Sequence, residues 1–153
     1  MRNKRKLLVE QLDKKLQPFF ESRKVLTPER GWINTIRTTL NMTMAQLGTK
    51  LTITRQGVKR IEESEANGRI TLNSLRDAAN AMDLKLVYAL VPKNGTIDDL
   101  IQTKAEKLAQ KIVLRTNQNM KLEDQGIGDE KMAKTIKELA EELKREMRKS
   151  LWD

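Results

Sequence analysis

Apolar residues recur along the N-terminal stretch at the spacing of an amphipathic helix. Leu8, Leu12, Leu16 and Phe19 lie three or four residues apart, and Lys and Arg supply much of the rest of the segment, mainly before Leu8. This pattern predicts a helix with one apolar stripe. Because proline lacks a backbone donor and its ring clashes with the preceding turn, we expect Pro18 to end or bend that helix.

The next helix is predicted from about Pro28 to Leu40. Thr27 supplies a hydroxyl that can accept a hydrogen bond from an orphan amide, and Pro28 suits the first helical position. The apolar side of this helix consists of Trp32, Ile33, Ile36 and Leu40. We expect Trp32 to lie in the core, because removing its large apolar surface from water is strongly favourable.

The segment from Thr43 to Glu62 contains two helix starts eleven residues apart. Thr43 is expected to cap the first helix and Thr54 the second, since threonine hydroxyls are good N-caps. The connection at Leu51–Ile53 is too short for antiparallel packing, so the pattern predicts a helix-turn-helix motif. The predicted buried residues of the motif are Leu47, Leu51, Ile53, Val58 and Ile61.

Long polar side chains lie opposite the apolar side of the second helix of this motif. They are Arg55, Gln56, Lys59 and Arg60. In a helix-turn-helix the second helix enters the major groove of DNA, where Arg favours guanine and Gln favours adenine. Gly57 leaves room for a close approach. The alternative is an ordinary helical hairpin with a solvated basic face.

One more bundle helix and a strand are predicted before residue 95. Thr71 can cap a helix that runs through Met82. Leu84–Val91 is β-branched and aromatic and stops at Pro92, which favours a short strand. That strand would pair with the N-terminal segment or with a second subunit. The alternative is a buried connecting segment.

Two further helices are predicted in the C-terminal third. Thr96 can cap the first, and the second begins near Asp129 with a narrow apolar seam like that of a coiled coil. The seam consists of Met132, Ile136, Leu139, Leu143 and Met147. These helices either pack on the bundle or bind a partner. Trp152, beside the last residue, points to a pocket on this protein or on another.

These elements predict a mainly all-α fold with one short β-strand. We divide the chain into an N-terminal amphipathic helix (1–26), a helix-turn-helix domain with a terminal strand (27–95) and a C-terminal helical extension (96–153). The extension would serve partner binding or self-association.

Composition narrows the function. The 153 residues include no Cys and no His, so a thiolate nucleophile and the commonest general base and metal ligand are missing. We expect no enzyme activity, no metal and no cofactor. The net charge is +9, and the excess lies in residues 1–95. It favours a polyanion as partner, the alternative being charge that only keeps the protein soluble. Together with the helix-turn-helix pattern, the polyanion is expected to be double-stranded DNA. Without a signal peptide or membrane segment, we expect a cytoplasmic, nucleoid-associated protein.

Residues 51–62 resemble the signature of the lambda-repressor-like, or XRE, helix-turn-helix family, and the resemblance extends over about residues 30–90. A small residue, an aliphatic residue and a hydroxyl precede the recognition helix, and Ile-Glu closes it. The resemblance implies a lambda-repressor-like bundle and a structural ion pair between Arg37 and Glu62. Family members often carry Gly where Thr52 stands.

The same resemblance places DNA-backbone contacts at the helix starts and in the loop after the recognition helix. Glu63 and Glu65, close to that loop, must point away from a polyanion or lower its affinity. The candidate backbone contacts are Thr43, Gln46, Thr54, Gly57, Asn67, Gly68 and Arg69.

The whole chain resembles the family called mobile mystery protein A. The resemblance is carried by the basic leader helix and by Gly31-Trp32, Leu84–Pro92, Met120–Gln125 and Leu151–Asp153. It implies a bacterial regulator encoded on a mobile element beside a Fic-domain protein. The neighbouring Fic-domain protein implies an antitoxin-like role. We expect the regulator to be a homodimer, because operators are commonly two-fold sites, and to repress its own operon. The alternatives are an interaction protein that mainly neutralises the Fic-type toxin, and a nucleoid binder without sequence choice.

Overall fold

The computed structural model describes residues 2–122 and 128–153, with side chains described for 4–119 and 128–153. Within these residues the chain is mainly helical and has no strand, which confirms the all-α class. The helices are α1 (Arg2–Phe20), α2 (Gly31–Thr39), α3 (Met44–Leu51), α4 (Arg55–Ala66), α5 (Leu72–Ala81), α6 (Ile97–Leu122) and α7 (Asp129–Glu146). Two short 3-10 helices cover Glu21–Lys24 and Lys149–Trp152. None of the helices in the described ranges is long and apolar enough to cross a bilayer.

The helices form two units. The terminal unit comprises Met1–Arg23 and Leu90–Asp153, and the central unit comprises Lys24–Ala89. The sequence predicts three segments, whereas the structure groups the N-terminal helix with the C-terminal helices. The side chains of Met120–Gln125, one of the runs that carry the whole-chain resemblance, lie outside the described residues.

The core of the central unit forms where α2, α3, α4 and α5 meet. Its buried residues are Ile33, Leu47, Val58, Ala78 and Met82. Three residues of the predicted apolar faces are exposed: Trp32 by 43%, Leu40 by 54% and Ile53 by 38%. On α2 it is the neighbouring Ile33 that faces inward, and the side chain of Ile53 lies beside Gly57 at the start of α4.

Helix α2 begins at Gly31, not at Pro28, and Thr27 does not cap it. Its N-cap residue is Arg30, which makes no side-chain capping bond. The orphan donors of the first turn are satisfied from elsewhere in the central unit. The backbone N–H groups of Trp32 and Ile33 each donate to the Glu65 carboxylate over 2.8 Å. A carboxylate at a helix N-terminus also complements the helix dipole.

The core of the terminal unit lies mainly between α6 and α7. Its buried residues are Ile101, Ala105, Ala109, Ala140, Leu143 and Leu151. Lys144 near the end of α7 donates to Asp98 at the start of α6 over 2.9 Å, so the two helices are antiparallel. The predicted seam of α7 faces this core, with Leu143 buried and Ile136, Leu139 and Met147 packed around it.

Helix α1 packs on the hairpin of α6 and α7 through a face that differs from the predicted one. Val9 contacts the core, whereas Leu8 and Leu12 are exposed. Pro18 does not end the helix, which continues to Phe20.

Two charged residues of α1 cap the helices on which it packs. The Asp13 carboxylate accepts from the backbone N–H of Ile97 (2.7 Å) and of Asp98 (3.2 Å) at the start of α6. The Arg5 guanidinium donates to the carbonyls of Glu146 (3.3 Å) and Met147 (3.1 Å) at the end of α7. Helix α1 therefore places opposite charges at opposite helix poles, as the helix dipoles favour.

Thr96 and Asp99 form a second cap at the start of α6. Thr96 N–H donates to Asp99 Oδ2 over 2.9 Å, and Asp99 N–H donates to Thr96 Oγ1 over 3.1 Å. Hydrogen bonds from the backbone and the hydroxyl of Thr96 hold the pKa of Asp99 below its ordinary value. Thr96 therefore caps α6 as the sequence predicts.

Two features expected at the ends of the units are not found within the described chain: a strand at Leu84–Val91 and a pocket of this protein for Trp152. Leu84–Val91 is not a strand, because no second strand lies beside it in the described part of the chain and a strand needs a partner. At the C-terminus it is Leu151, only 4% exposed, that docks into the core, while Trp152 is 53% exposed. The chain end is thus held by the residue next to the one that the sequence favoured.

Candidate nucleic-acid interface

Local caps define where α3 and α4 begin. Thr43 Oγ1 accepts from Gln46 N–H over 3.0 Å, and the Gln46 side chain accepts from Thr43 N–H over 2.8 Å, which forms a complete capping box. Thr54 Oγ1 accepts from Gly57 N–H over 3.0 Å. Both threonines therefore cap as predicted, and each helix start is set by residues within three positions of each other.

The corner between the two helices is tight. Thr52 has the left-handed backbone conformation, with φ at 59°, and Ile53 N–H donates to the Gly48 carbonyl over 2.9 Å. A Cβ at Gly48 would lie 2.8 Å from the Ile53 carbonyl oxygen, closer than real contacts allow. Gly48 thus lets the last turn of α3 approach the connection that leads into α4.

The outer face of α4 carries the four predicted base-reading residues. The side chains of Arg55, Gln56, Lys59 and Arg60 are all exposed, at the i, i+1, i+4, i+5 spacing of one helix face. None of the four side chains has a hydrogen bond or ion pair with another described residue. Three cations and one amide are therefore free to bind a ligand outside the chain.

The inner face of α4 carries a buried ion pair. Arg37 Nε lies 2.5 Å from Glu62 Oε1, and Arg37 Nη2 donates to Glu62 Oε2 over 3.3 Å. Arg37 Nη1 also donates to the Met42 carbonyl over 2.8 Å. Because its hydrogen bonds are made, the buried pair ties α2 to α4 at a defined position. The structure thus brings together the two residues that the resemblance pairs.

The acidic residues of α4 mostly turn away from its outer face. Glu62 is buried against Arg37, and Glu65 reaches back to the first turn of α2, while Glu63 stays exposed. Sequence reasoning missed the role of Glu65. The available signal was that Arg30, before Gly31, is not a good N-cap, which leaves the first turn of α2 in need of a distant acceptor.

The loop after α4 presents an exposed arginine. Asn67 Oδ1 accepts from Arg69 N–H over 3.2 Å, and Gly68 has φ at 78° with open space beside it. The Arg69 side chain is exposed and has no hydrogen bond or ion pair within the described residues. Gly68 is needed here for its backbone conformation, since no other atom crowds its Cα.

The outer face of α4 and the loop after it supply exposed hydrogen-bond donors, most of them cationic. We call Arg55, Gln56, Lys59, Arg60 and Arg69 the α4 surface. Residues 24–89 contain ten Lys and Arg against six Asp and Glu, and two of those acids, Glu62 and Glu65, bind internally. Among the residues with described side chains, no three acidic groups converge as metal ligands. The chemistry of the surface is therefore hydrogen-bond donation to anions and to polar edges.

Comparisons of the chain with protein-family models, with curated proteins and with solved structures found no match.

Proposed function

We propose that α3 and α4 form a helix-turn-helix and that the protein is a sequence-specific DNA-binding regulator. One observation carries this proposal: the cations of α4 lie on its outer face, whereas most of its carboxylates bind other residues of the unit. Its cations and its glutamine project outward without partners, while Glu62 and Glu65 bind inward. A solvated helix surface would tolerate mixed charges, whereas a surface that contacts phosphates gains from removing carboxylates.

In the proposed complex, α4 lies in the major groove. Arg55, Gln56, Lys59 and Arg60 contact base edges, with arginine preferring guanine and glutamine preferring adenine. The starts of α3 and α4 and the loop after α4 contact the backbone. Because the capping box uses the Gln46 side-chain oxygen, the amide nitrogen of Gln46 is the group left to donate to a phosphate. This assignment agrees with the resemblance to the lambda-repressor-like family.

Selection of binding sequences from a randomised duplex library tests the proposal. We expect the wild-type chain to enrich one motif. Arg55→Ala should relax the preference at one base pair, since a bidentate contact contributes about 1–3 kcal/mol of discrimination. Arg69→Ala should weaken binding to all sequences alike and lower the salt slope by about one.

Arg76→Ala is the matched control for these two variants. Arg76 is an exposed arginine on α5 of the same unit, so its loss changes the net charge equally. It should leave the selected motif unchanged. Enrichment of no motif by the wild-type chain, or equal losses for all three variants on every sequence, would contradict the proposal.

The antitoxin-like role that the whole-chain resemblance implies is a second candidate. The observation that favours it is a patch of exposed leucines on α1, at Leu7, Leu8 and Leu12. Such a patch suits a protein partner better than a polyanion. Co-expression with the product of the adjacent gene tests the candidate: Leu8→Glu with Leu12→Glu should abolish co-purification and inhibition, and Arg55→Ala with Lys59→Ala should leave both intact. The reverse pattern would exclude the α1 patch.

A further inference from the structure

The chain contains two Asn-Gly pairs, Asn67-Gly68 and Asn94-Gly95. An asparagine side chain is most easily attacked by the backbone nitrogen of the next residue when that residue is glycine, because no Cβ hinders the approach. Both glycines have positive φ, at 78° and 64°, so each turn needs its glycine. The fold therefore retains two pairs that have the same chemical reactivity but lie in different surroundings.

Hydrogen bonds at the end of α4 hold the first pair. Gly68 N–H donates to the Glu65 carbonyl over 3.1 Å, and Asn67 Oδ1 accepts from Arg69 N–H over 3.2 Å. Asn67 also has ψ at 5°, which turns the Gly68 nitrogen away from the Asn67 side chain. Attack on the Asn67 amide therefore requires the end of α4 to open, and such a local opening costs free energy.

The second pair has none of these restraints. Asn94 is exposed, and neither its side chain nor the Gly95 N–H is hydrogen bonded to another described residue. The chain on either side is fixed, because the Arg23 guanidinium donates to the carbonyls of Pro92 (2.9 Å) and Gly95 (2.8 Å). The Gly95 nitrogen and the amide that it would attack are thus adjacent, exposed and without partners in the described chain.

We propose that Asn94 converts spontaneously to aspartate and isoaspartate in the folded protein, while the fold protects Asn67. The Gly95 nitrogen loses its proton to a solvent base and bonds to Asn94 Cγ, and the side-chain nitrogen takes up a proton and leaves as ammonia. Water then opens the resulting cyclic imide. Cleavage between the nitrogen and Cγ gives aspartate, and cleavage between the nitrogen and the backbone carbonyl carbon gives isoaspartate. One water is consumed and one ammonia is released, without any oxidant or cofactor.

The two products differ in their effect on the contact that Arg23 makes. Both add a carboxylate at position 94, but isoaspartate also lengthens the main chain by one carbon atom. The extra atom lies between the Pro92 and Gly95 carbonyls, the two groups that Arg23 holds. Isoaspartate therefore changes the spacing of these groups, whereas aspartate does not. The modification belongs to the terminal unit and does not depend on the proposed function.

Ageing of the full chain in mildly alkaline buffer, followed by peptide mapping with mass spectrometry, tests the proposal. Trypsin places the two pairs in different peptides, because Lys93 precedes Asn94 and Arg69 follows Gly68. In the folded chain, Asn94 should convert at least about tenfold faster than Asn67, because Asn67 reacts only from locally opened states. In urea the two sites should convert at rates within about twofold of each other, because unfolding removes the restraint on Asn67.

An unaged sample corrects for conversion during digestion, and Asn94→Gln is the matched control. Glutamine keeps an exposed amide at this position but closes the ring slowly, so the mass change in this peptide should disappear. Synthetic peptides of residues 94–104 with aspartate or isoaspartate at the first position identify the two products by their retention times. A folded chain in which Asn67 converts as fast as Asn94, or in which neither site converts although both do in urea, would overturn the proposal.

Discussion

The central and terminal units fix their helix ends in the same way but use their cations differently. In each unit a carboxylate from one helix caps another: Glu65 of α4 caps α2, and Asp13 of α1 caps α6. In the terminal unit, cations such as Arg5 and Lys144 also bind within the unit. In the central unit the cations on the outer face of α4 bind nothing within the described chain. Paired cations such as Arg5, Lys144 and Arg37 hold helices together, whereas the cations on the outer face of α4 are available to an external anion.

Breaking the ion pair that holds α4 should have the largest effect. Arg37→Ala or Glu62→Ala leaves one buried charge without its partner, so the free energy of unfolding of the central unit should fall by about 3–5 kcal/mol. Urea denaturation followed by Trp32 fluorescence measures this in a Trp152→Phe background, where Trp32 is the single indole.

Two further variants calibrate that result. Arg60→Ala removes an unpaired arginine from the other face of α4 and should change stability by less than about 0.5 kcal/mol. Replacing both Arg37 and Glu62 by Met should restore much of the loss, because no charge remains buried. A single-variant loss no larger than that of Arg60→Ala would show that the pair does not hold α4.

Removing the long-range caps should have an intermediate effect that is confined to one unit. Glu65→Ala and Asp13→Ala should each cost about 1–2 kcal/mol, the usual range for a lost N-cap. In amide hydrogen exchange, Glu65→Ala should lower protection at Trp32 and Ile33, and Asp13→Ala should lower it at Ile97. Each variant is the control for the other. Loss of protection in both units from one variant would contradict the independence of the two caps.

Replacing Thr52, the left-handed residue between α3 and α4, should change stability by less than the cap variants do and should increase it. Thr52→Gly should stabilise the central unit by about 0.5–1 kcal/mol, because a β-branched residue is strained at positive φ. Thr49→Gly is the control: it lies within α3 and should destabilise by about 0.3–0.5 kcal/mol, because glycine is a poorer helix former than threonine. A thermal melt that ranks the two variants the other way would show that the corner is not strained.

The smallest expected effect is on the free energy of unfolding of the terminal unit at acidic pH. The folded-state pKa of Asp99 is lowered by Thr96, so Asp99 stabilises the unit above its unfolded pKa and loses this contribution as the pH falls through its folded pKa. In an NMR titration, Thr96→Ala should raise the pKa of Asp99 toward its ordinary value.

Thr103→Ala is the control for this titration, because the Thr103 hydroxyl binds the Asp99 backbone carbonyl and not its carboxylate. It should leave the pKa of Asp99 unchanged. An equal shift in both variants would mean that general loosening of α6, rather than the cap, controls the titration.

Features that depend on neighbouring residues could be predicted from the sequence. Thr43, Thr54 and Thr71 each cap a helix by bonding an amide three residues ahead, so the starts of α3, α4 and α5 follow from local pattern. The outer face of α4 follows too, because Val58 fixes which side of that helix is buried. The exposure of the base-reading candidates was therefore predictable, while their contact with DNA stays a prediction.

Features that depend on distant residues could not be predicted in this way. The start of α2 is decided by Glu65, more than thirty positions later, and the buried side of α1 is decided by the hairpin on which it packs. Local spacing favoured Leu8 and Leu12 there, because it cannot distinguish two apolar rows one residue apart. The segment from Leu84 failed as a strand for a similar reason: strand propensity does not supply a second strand.

The chain passes from one unit to the other twice, so the central unit is an insertion within the sequence of the terminal unit. The chain leaves the terminal unit after Arg23 and returns at Leu90. The Arg23 guanidinium donates to the carbonyls of Pro92 (2.9 Å) and Gly95 (2.8 Å), so the points of departure and return lie side by side. A few glycines and serines would bridge that gap, which makes residues 24–89 an exchangeable cassette. Under the proposed function, exchanging residues 24–89 would change the DNA sequence that the protein selects while leaving the helices of the terminal unit in place.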